Sequence, residues 1–323
     1  MCTAISMNMN APLFGRTLDL ECGYGEKIAI TPRNYPYMFR HTAPIYNHCA
    51  IIGMAAVTDG YALYFDATNE HGLSIAGLNF PDLAHYASPQ PGKINLASFE
   101  LIPWLLCQCK TMDDVRGVLP SLNIVATPFR QNMPPSPLHW LIGFGDDCMV
   151  LEPKKDGLKW YDNPIGVMTN CPELPWHLTN LQNYSQLSPL PAMDRFSPAV
   201  SASYSRAMGA IGLPGDWSSA SRFVRAAFVK LNSPCFSSQQ ENVNQFIHIL
   251  QAVAMPLGSI QLKPGQYDLT RYSCCMTAGK YYYTTYENSR ICCVDMLLED
   301  LNHQDIIACC LQNKTDILLQ NKR

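Results

Sequence analysis

The chain has 323 residues, 47% of them hydrophobic and only 15% charged, with a formal charge of −3. That balance supports a large buried core and argues against disorder, and without an excess of Lys or Arg it argues against a nucleic-acid groove or an anionic membrane face. No stretch approaches the roughly 18 apolar residues that span a bilayer, and the N-terminus lacks the basic and apolar regions of a signal peptide, so the chain is read as cytoplasmic with a small-molecule partner.

The second residue, in "MCTAIS", is a cysteine. Because Cys is small, Met1 is expected to be trimmed, leaving a residue that carries both a thiol and a free α-amine. A free thiol titrates near ~8.5 and needs a base, whereas an α-amine titrates at about 7.7–8.0 and exchanges protons near neutrality. Nucleophile and base then share one residue. Taken alone, Cys2 also fits an inert second position. In "FGRTLDL", Arg16 and Asp19 stand at i and i+3. They are either a surface ion pair or groups folded back beside the first strand, the cation favouring a thiolate and the carboxylate holding the amine.

Residues 49 to 80 read as a β meander: "CAIIGMAAV", an Asp59-Gly60 turn, "YALYF", then "LSIAGLNF". Residues 94 to 120 read as helical, with Pro103 kinking or interrupting the first segment and Thr111 and Asp114 spaced as a capping box for the second. Strands return at "LHWLIGF", "CMVLEP" and "IGVMTN", and a helix at "WHLTNLQNY". The Pro-, Ser- and Ala-rich segment 188–216 is too long for an ordinary loop and reads as an arm. Two helices follow, "SSASRFVRAAFVKL" and "ENVNQFIHILQAVAM", then strands at "YDLTRYSCCM", "KYYYTTYE" and "SRICCVDML", and a closing helix. Strand blocks at both ends with helices between them predict two sheets covered by helices, an α+β layered domain spanning 1–323.

Fourteen cysteines include the adjacent pairs Cys274/Cys275, Cys292/Cys293 and Cys309/Cys310. Neighbours on a strand face opposite ways, so these read as reduced packing residues; with no CxxC, neither a zinc site nor any other cofactor is expected.

Five blocks in order, "MCTAI" with "GRTLDL", "YFDATNEHGLSIAGLNFP", "VMTNCPELPWHLTNLQNY", "LPGDWSSASRFVRAAF" and "YYYTTYENSRI", together resemble the choloylglycine hydrolase family, N-terminal nucleophile hydrolases that include bile salt hydrolases and penicillin V acylases. The resemblance implies a four-layer αββα sandwich of two antiparallel sheets. It also implies roles: Cys2 as nucleophile with its own amine as base, Arg16 beside the thiol, Asp19 orienting the amine, Asn79 and Asn170 at the oxyanion hole, and Arg222 as the active-site arginine. Arg225, one helical turn on, competes with Arg222, and only the motif "SRF" favours the latter. Cys171 stands where many members have Asn or Ser. Asn rather than Tyr at position 79 points to conjugated bile salts; the alternatives are penicillin V or another N-acyl amide, and acyl transfer from the same thioester to an amine. Candidate pocket loops are "TPFRQNMPP" and the Asp59 turn, and the arm at 188–216 would pack a homotetramer.

Overall fold

The structure is a computed structural model that describes residues 1–193, 204–315 and 317–320. The chain opens with the hairpin of β1 (Cys2–Asn8) and β2 (Pro12–Leu20), then β3 (Lys27–Thr31), β4 (Ile51–Thr58), β5 (Tyr61–Asn69) and β6 (Ser74–Asn79). Next come β7 (Ile94–Ala97), helices α1 (Leu101–Gln108) and α2 (Met112–Val118), and strands β8 (Leu122–Val125), β9 (Leu138–Phe144), β10 (Asp147–Lys154), β11 (Gly157–Asp162) and β12 (Val167–Met168). Helices α3 (Leu174–Leu181), α4 (Ser219–Leu231) and α5 (Gln239–Gln251) lead to β13 (Ile260–Lys263), β14 (Gln266–Thr277), β15 (Lys280–Thr285), β16 (Cys292–Asp295) and β17 (Ile307–Cys310).

Apart from β7 and β8, which pair with each other, these strands form two antiparallel sheets. One runs β12-β1-β2-β14-β15-β16 with β13 on β14, and the other runs β11-β10-β9-β6-β5-β4-β3-β17. The sheets face each other through β1, β2, β14 and β15 on one side and β4, β5, β6 and β9 on the other, while α4 and α5 cover the first sheet and α1 the second. That is the αββα layering, and it needs two apolar interfaces outside the sheets as well as the one between them. Phe246, Ile247 and Leu250 of α5 join Phe14, Ile30 and Leu141 in one core; Leu101, Leu105 and Leu106 of α1 join Trp140, Ile75 and Ile142 in the other. Each fully buried Leu, Ile or Phe contributes about 1.5–3 kcal/mol of burial.

Local rules set many of the boundaries. Asp59 and Gly60 both take positive φ, as a two-residue hairpin between paired Thr58 and Tyr61 requires. The Thr111 hydroxyl accepts from the Asp114 N–H at 3.1 Å and Asp114 accepts from the Thr111 N–H at 2.9 Å, completing the capping box. Three expectations give way. Pro103 does not kink a helix, because α1 begins at Leu101 and the proline falls in the first turn, where an N–H has no helical partner to lose. Residues 94–97 are not helical but form β7, parallel to β8. The closing segment is not helical either: Ile307–Cys310 pairs with β3 as an edge strand, alternating half-buried and exposed residues. The expected arm, 188–216, lies partly outside the described residues, at 194–203. All fourteen cysteines are free thiols.

Gly15, in the middle of β2, sits where any side chain would collide with the Cys274 carbonyl oxygen of β14 and the Phe246 ring of α5. Gly15→Ala is expected to lower stability by about 1–3 kcal/mol through overpacking, read as a lower urea midpoint at unchanged slope.

Candidate active site

Alternation along β2 decides how the N-terminal residues meet. Cys2 pairs with Leu18 and Ala4 with Arg16, so Arg16 and the Cys2 side chain share the face turned to the second sheet. Thr17 and Asp19 share the opposite face, toward α4 and α5. Arg16 and Asp19, three apart on a strand, therefore cannot pair with each other, and both are fully buried, which removes the surface ion pair as a reading.

Arg16 spans the gap between the sheets. Its Nη1 donates to the Gly77 carbonyl at 2.6 Å and the Phe65 carbonyl at 3.3 Å, and its Nε lies 4.0 Å from the Asp66 carboxylate. Asp66 in turn accepts from the Tyr272 and Tyr281 hydroxyls of the opposite sheet, the latter at 2.6 Å. Burial disfavours the Arg16 charge, but Cys2, Tyr272 and Asp66 outweigh it and raise its pKa. Its Nη2 is buried with no hydrogen-bond partner among the described residues. A guanidinium with one N–H pair unspent, coupled to the Cys2 sulfur, is suited to an anion formed there.

On the other face, Asp19 accepts from the Thr270 hydroxyl at 2.6 Å and the Thr17 hydroxyl at 3.1 Å. Burial raises its pKa, opposed by Arg222 and the N-terminal ammonium. With Met1 in place, that ammonium donates to the Asp19 carbonyl at 2.6 Å and to Asp268 at 3.1 Å.

Arg222, fully buried on α4, binds the first strand: Nη1 donates to the Cys2 carbonyl and to the Thr3 hydroxyl at 2.7 Å, and Nη2 to Asn170 Oδ1 at 2.8 Å. Asn170 Oδ1 also accepts the Cys2 N–H at 2.9 Å, and Asn170 Nδ2 donates to the Asn79 carbonyl at 2.7 Å. Cys2, Asn79, Asn170 and Arg222 thus form one continuous hydrogen-bonded chain, flanked by Arg16 and Asp19. Arg225 is elsewhere, its guanidinium spent on the Ala252, Pro214 and Asp216 carbonyls. Cys171 donates to the Pro81 carbonyl at 3.2 Å, and burial raises its pKa.

Sequence reasoning missed several neighbours. Thr270 and Asp268 reach the N-terminus from β14, some 250 positions downstream in the chain, and Ser219 holds the Asn170 N–H at 2.9 Å. Two buried histidines, His139 and His177, stand behind Asn170, donating to the Thr169 carbonyl at 2.9 Å and the Asn170 carbonyl at 3.2 Å, not to Cys2. These are isolated polar residues with no shared spacing, and only the fold groups them. The two candidate pocket loops do meet: Arg130 reaches Asp59 at 3.6 Å, and Phe129 packs on Tyr61. A cleft of about 560 Å³ is lined by Trp217, Thr270 and Tyr272 but not by Cys2. Cys49, Glu70 and His71 group as potential metal ligands, but Glu70 is held by Arg33 at 2.6 Å and by the Ala50 N–H at 3.0 Å.

A thiol-bearing first strand buried in an αββα sandwich defines an N-terminal nucleophile hydrolase. Residues 2–309 match the model of the linear amide C–N hydrolases, choloylglycine hydrolase family, and the chain belongs to that family. It is 45% identical to the bile salt hydrolase/transferase of Lactiplantibacillus plantarum, over 99% of this chain and 100% of that one. To the conjugated bile acid hydrolase of Lactobacillus gasseri it is 40% identical, over 89% of this chain and 93% of the relative. A crystal structure of a mutant conjugated bile acid hydrolase from Clostridium perfringens superposes with a TM-score of 0.92 at 33% identity, covering 99% of this chain and 100% of that one. The penicillin V acylase of Agrobacterium tumefaciens shares the fold, with a TM-score of 0.75 at 18% identity, covering 94% and 90% of the two chains.

Burial, with His139 and Arg222 nearby, lowers the His177 pKa from 6.5 to about 4, despite its bond to the Asn170 carbonyl and the Glu152 charge. Unfolded, this imidazole takes up its proton at higher pH than it does folded. Its stabilisation is therefore complete above the unfolded pKa and is lost as pH falls from 6.5 towards 4, by up to about 3 kcal/mol. Urea midpoints at pH 7 and 4.5 should fall further for the parent than for His177→Phe.

Proposed function

We propose that this linear amide C–N hydrolase cleaves the amide bond of glycine- or taurine-conjugated bile salts, with Cys2 as nucleophile. The observation that carries the chemistry is the capture of Cys2 at both backbone ends, its N–H by Asn170 and its carbonyl by Arg222, with its side chain on the Arg16 face. The relatives named for bile salts and bile acids, matched over nearly their full length, support the substrate.

In this reading Met1 is removed, and the freed Cys2 amine, steered by Asp19, takes the thiol proton. The sulfur attacks the amide carbonyl, and its charge is met beforehand by Arg16. The oxyanion that forms is held by the Asn170 side-chain amide and the Asn79 backbone N–H. Asn170 Nδ2 already donates to the Asn79 carbonyl, so the two residues are held in contact before substrate arrives. The protonated amine gives its proton to the leaving nitrogen, the C–N bond breaks, and glycine or taurine departs. Water then hydrolyses the acyl thioester, returning the thiol and a free bile acid. Phe65, whose carbonyl holds Arg16, and Tyr24, its ring 6.2 Å away, offer an apolar surface to the rigid acyl body. Capture of the thioester by an amine instead of water would make a new amidate, and the relatives named hydrolase/transferase favour that second outcome.

The reading extends to a cytoplasmic homotetramer packed through 188–216 and to one domain over 1–323. Light scattering on purified protein should return four times the chain mass, and deletion within 188–216 should lower it.

Purified protein is expected to lose Met1 by mass spectrometry and to release glycine or taurine from conjugated bile salts faster than it cleaves the side-chain amide of penicillin V. Cys2→Ala should abolish release, and Asn170→Ala should lower kcat by about 10²–10³, the usual cost of one oxyanion donor. Cleavage of penicillin V alone would leave the chemistry standing and refute the steroid substrate.

A further inference from the structure

Asn170 lies two residues beyond the two-residue strand β12, in a bend that leads to α3, a loose support for a side chain that must meet an oxyanion within a fraction of an ångström. Behind it, two imidazoles approach from different elements, His139 from β9 and His177 from α3. Both are almost completely buried. Each spends its Nε2–H on one of two consecutive carbonyls, Thr169 at 2.9 Å and Asn170 at 3.2 Å. Since a carbonyl only accepts, both rings must carry the proton on Nε2. Their Nδ1 atoms have no hydrogen-bond partner among the described residues, and the nearest charge to His139 Nδ1 is Glu152 at 3.8 Å. The carbonyl bonds are therefore the polar function of these rings.

The flat faces of the rings make a second set of contacts. His139 stacks on Phe80 with centroids 4.2 Å apart and planes 9° apart, and His177 on Phe223 at 4.6 Å and 14°. Phe80 follows Asn79, and Phe223 follows Arg222. On Phe80 the Lys154 ammonium also sits 5.7 Å from the ring centroid, while it reaches Glu152 at 3.9 Å. By edge each histidine grips the backbone that presents Asn170; by face it grips the residue after another member of the site.

We infer that His139 and His177 are a pair of positioning residues, which register the Asn170 amide against Asn79 and Arg222 and so assemble the oxyanion hole. Neither touches the substrate or the Cys2 sulfur. The inference rests on the proposed role of Asn170 as oxyanion donor.

The test uses His139→Phe and His177→Phe, which keep an aromatic face and lose the donor, beside His139→Gln and His177→Gln, which return a donor. Turnover of a glycine-conjugated bile salt, the rate of Cys2 alkylation by iodoacetamide, and crystal structures of the Phe variants are read together. The Phe variants should lose about tenfold or more in kcat, as sub-ångström to 1 Å misplacement does, with KM and alkylation within about twofold of the parent, and the Gln variants should recover part of the loss. Parental kcat in the Phe variants, or alkylation falling in step with kcat in any variant, overturns the inference. If a Phe variant does not fold, the Gln variant at that position decides by the same split. Should the parent cleave no conjugated bile salt, the substrate reading fails by itself, and the position of the Asn170 amide decides: displaced in the Phe variants, it upholds the pair, and unmoved, it refutes it.

Discussion

A chain terminus ordinarily frays, and the guanidinium of Arg222 prevents that here. Buried on α4, it bonds the Cys2 carbonyl, the Thr3 hydroxyl and Asn170 Oδ1, while Asn170 takes the Cys2 N–H. A cation this deep is disfavoured by its own desolvation, which lowers its pKa, and Asp19, Cys2 and Asp268 offset the cost. Truncating it would leave the Cys2 carbonyl without this donor and remove the largest of the charges that offset the burial of Asp19, and buried charges that lose a partner are strongly destabilising. The position of Cys2 and the charge balance around it thus depend on one side chain from a helix more than 200 residues away.

The strand β2 distributes the remaining charge. Its two-residue period places Arg16 between the sheets and Asp19 against the helical layer, so cation and carboxylate approach Cys2 from opposite faces of one sheet without neutralising each other. Each is held by its own set: Arg16 by Asp66 and the Gly77 and Phe65 carbonyls, Asp19 by Thr17 and Thr270. The Asp66 cluster also pins the sheets to each other, because its tyrosine donors come from β14 and β15 while Asp66 belongs to β5. Polar groups in the middle of an apolar sandwich fix the relative register of its halves only because each charge has a matched partner.

Much of this was legible from local patterns and from five motif blocks. The Asp59-Gly60 hairpin, the Thr111 capping box and the helices carrying Arg222 and Phe246 follow from turn chemistry, spacing and amphipathic period. Cys2 announced itself by position, and the motifs drew attention to Arg16, Asp19, Asn79, Asn170 and Arg222. The misreadings share a cause. Residues 94–97 and 307–310 are strands because a neighbouring strand or sheet edge offered unpaired backbone groups, which a local window does not contain. Pro103 would break a helix that starts well before it, but α1 starts at Leu101 and the proline lies in the first turn.

By itself the sequence determined the family and the layered class and singled out Cys2, since these rest on residue type, order and short-range period. Tertiary structure showed which of two similar arginines reaches Cys2: Arg222 turns to the first strand, and Arg225 spends its donors on the Ala252, Pro214 and Asp216 carbonyls. It alone brought Thr270, Asp268, His139 and His177 to the site, because hydrogen bonds between residues far apart in the chain have no period to betray them. Partners of that kind are chosen by the direction in which a packed element faces, and that direction is settled only when the sheets and helices close on each other.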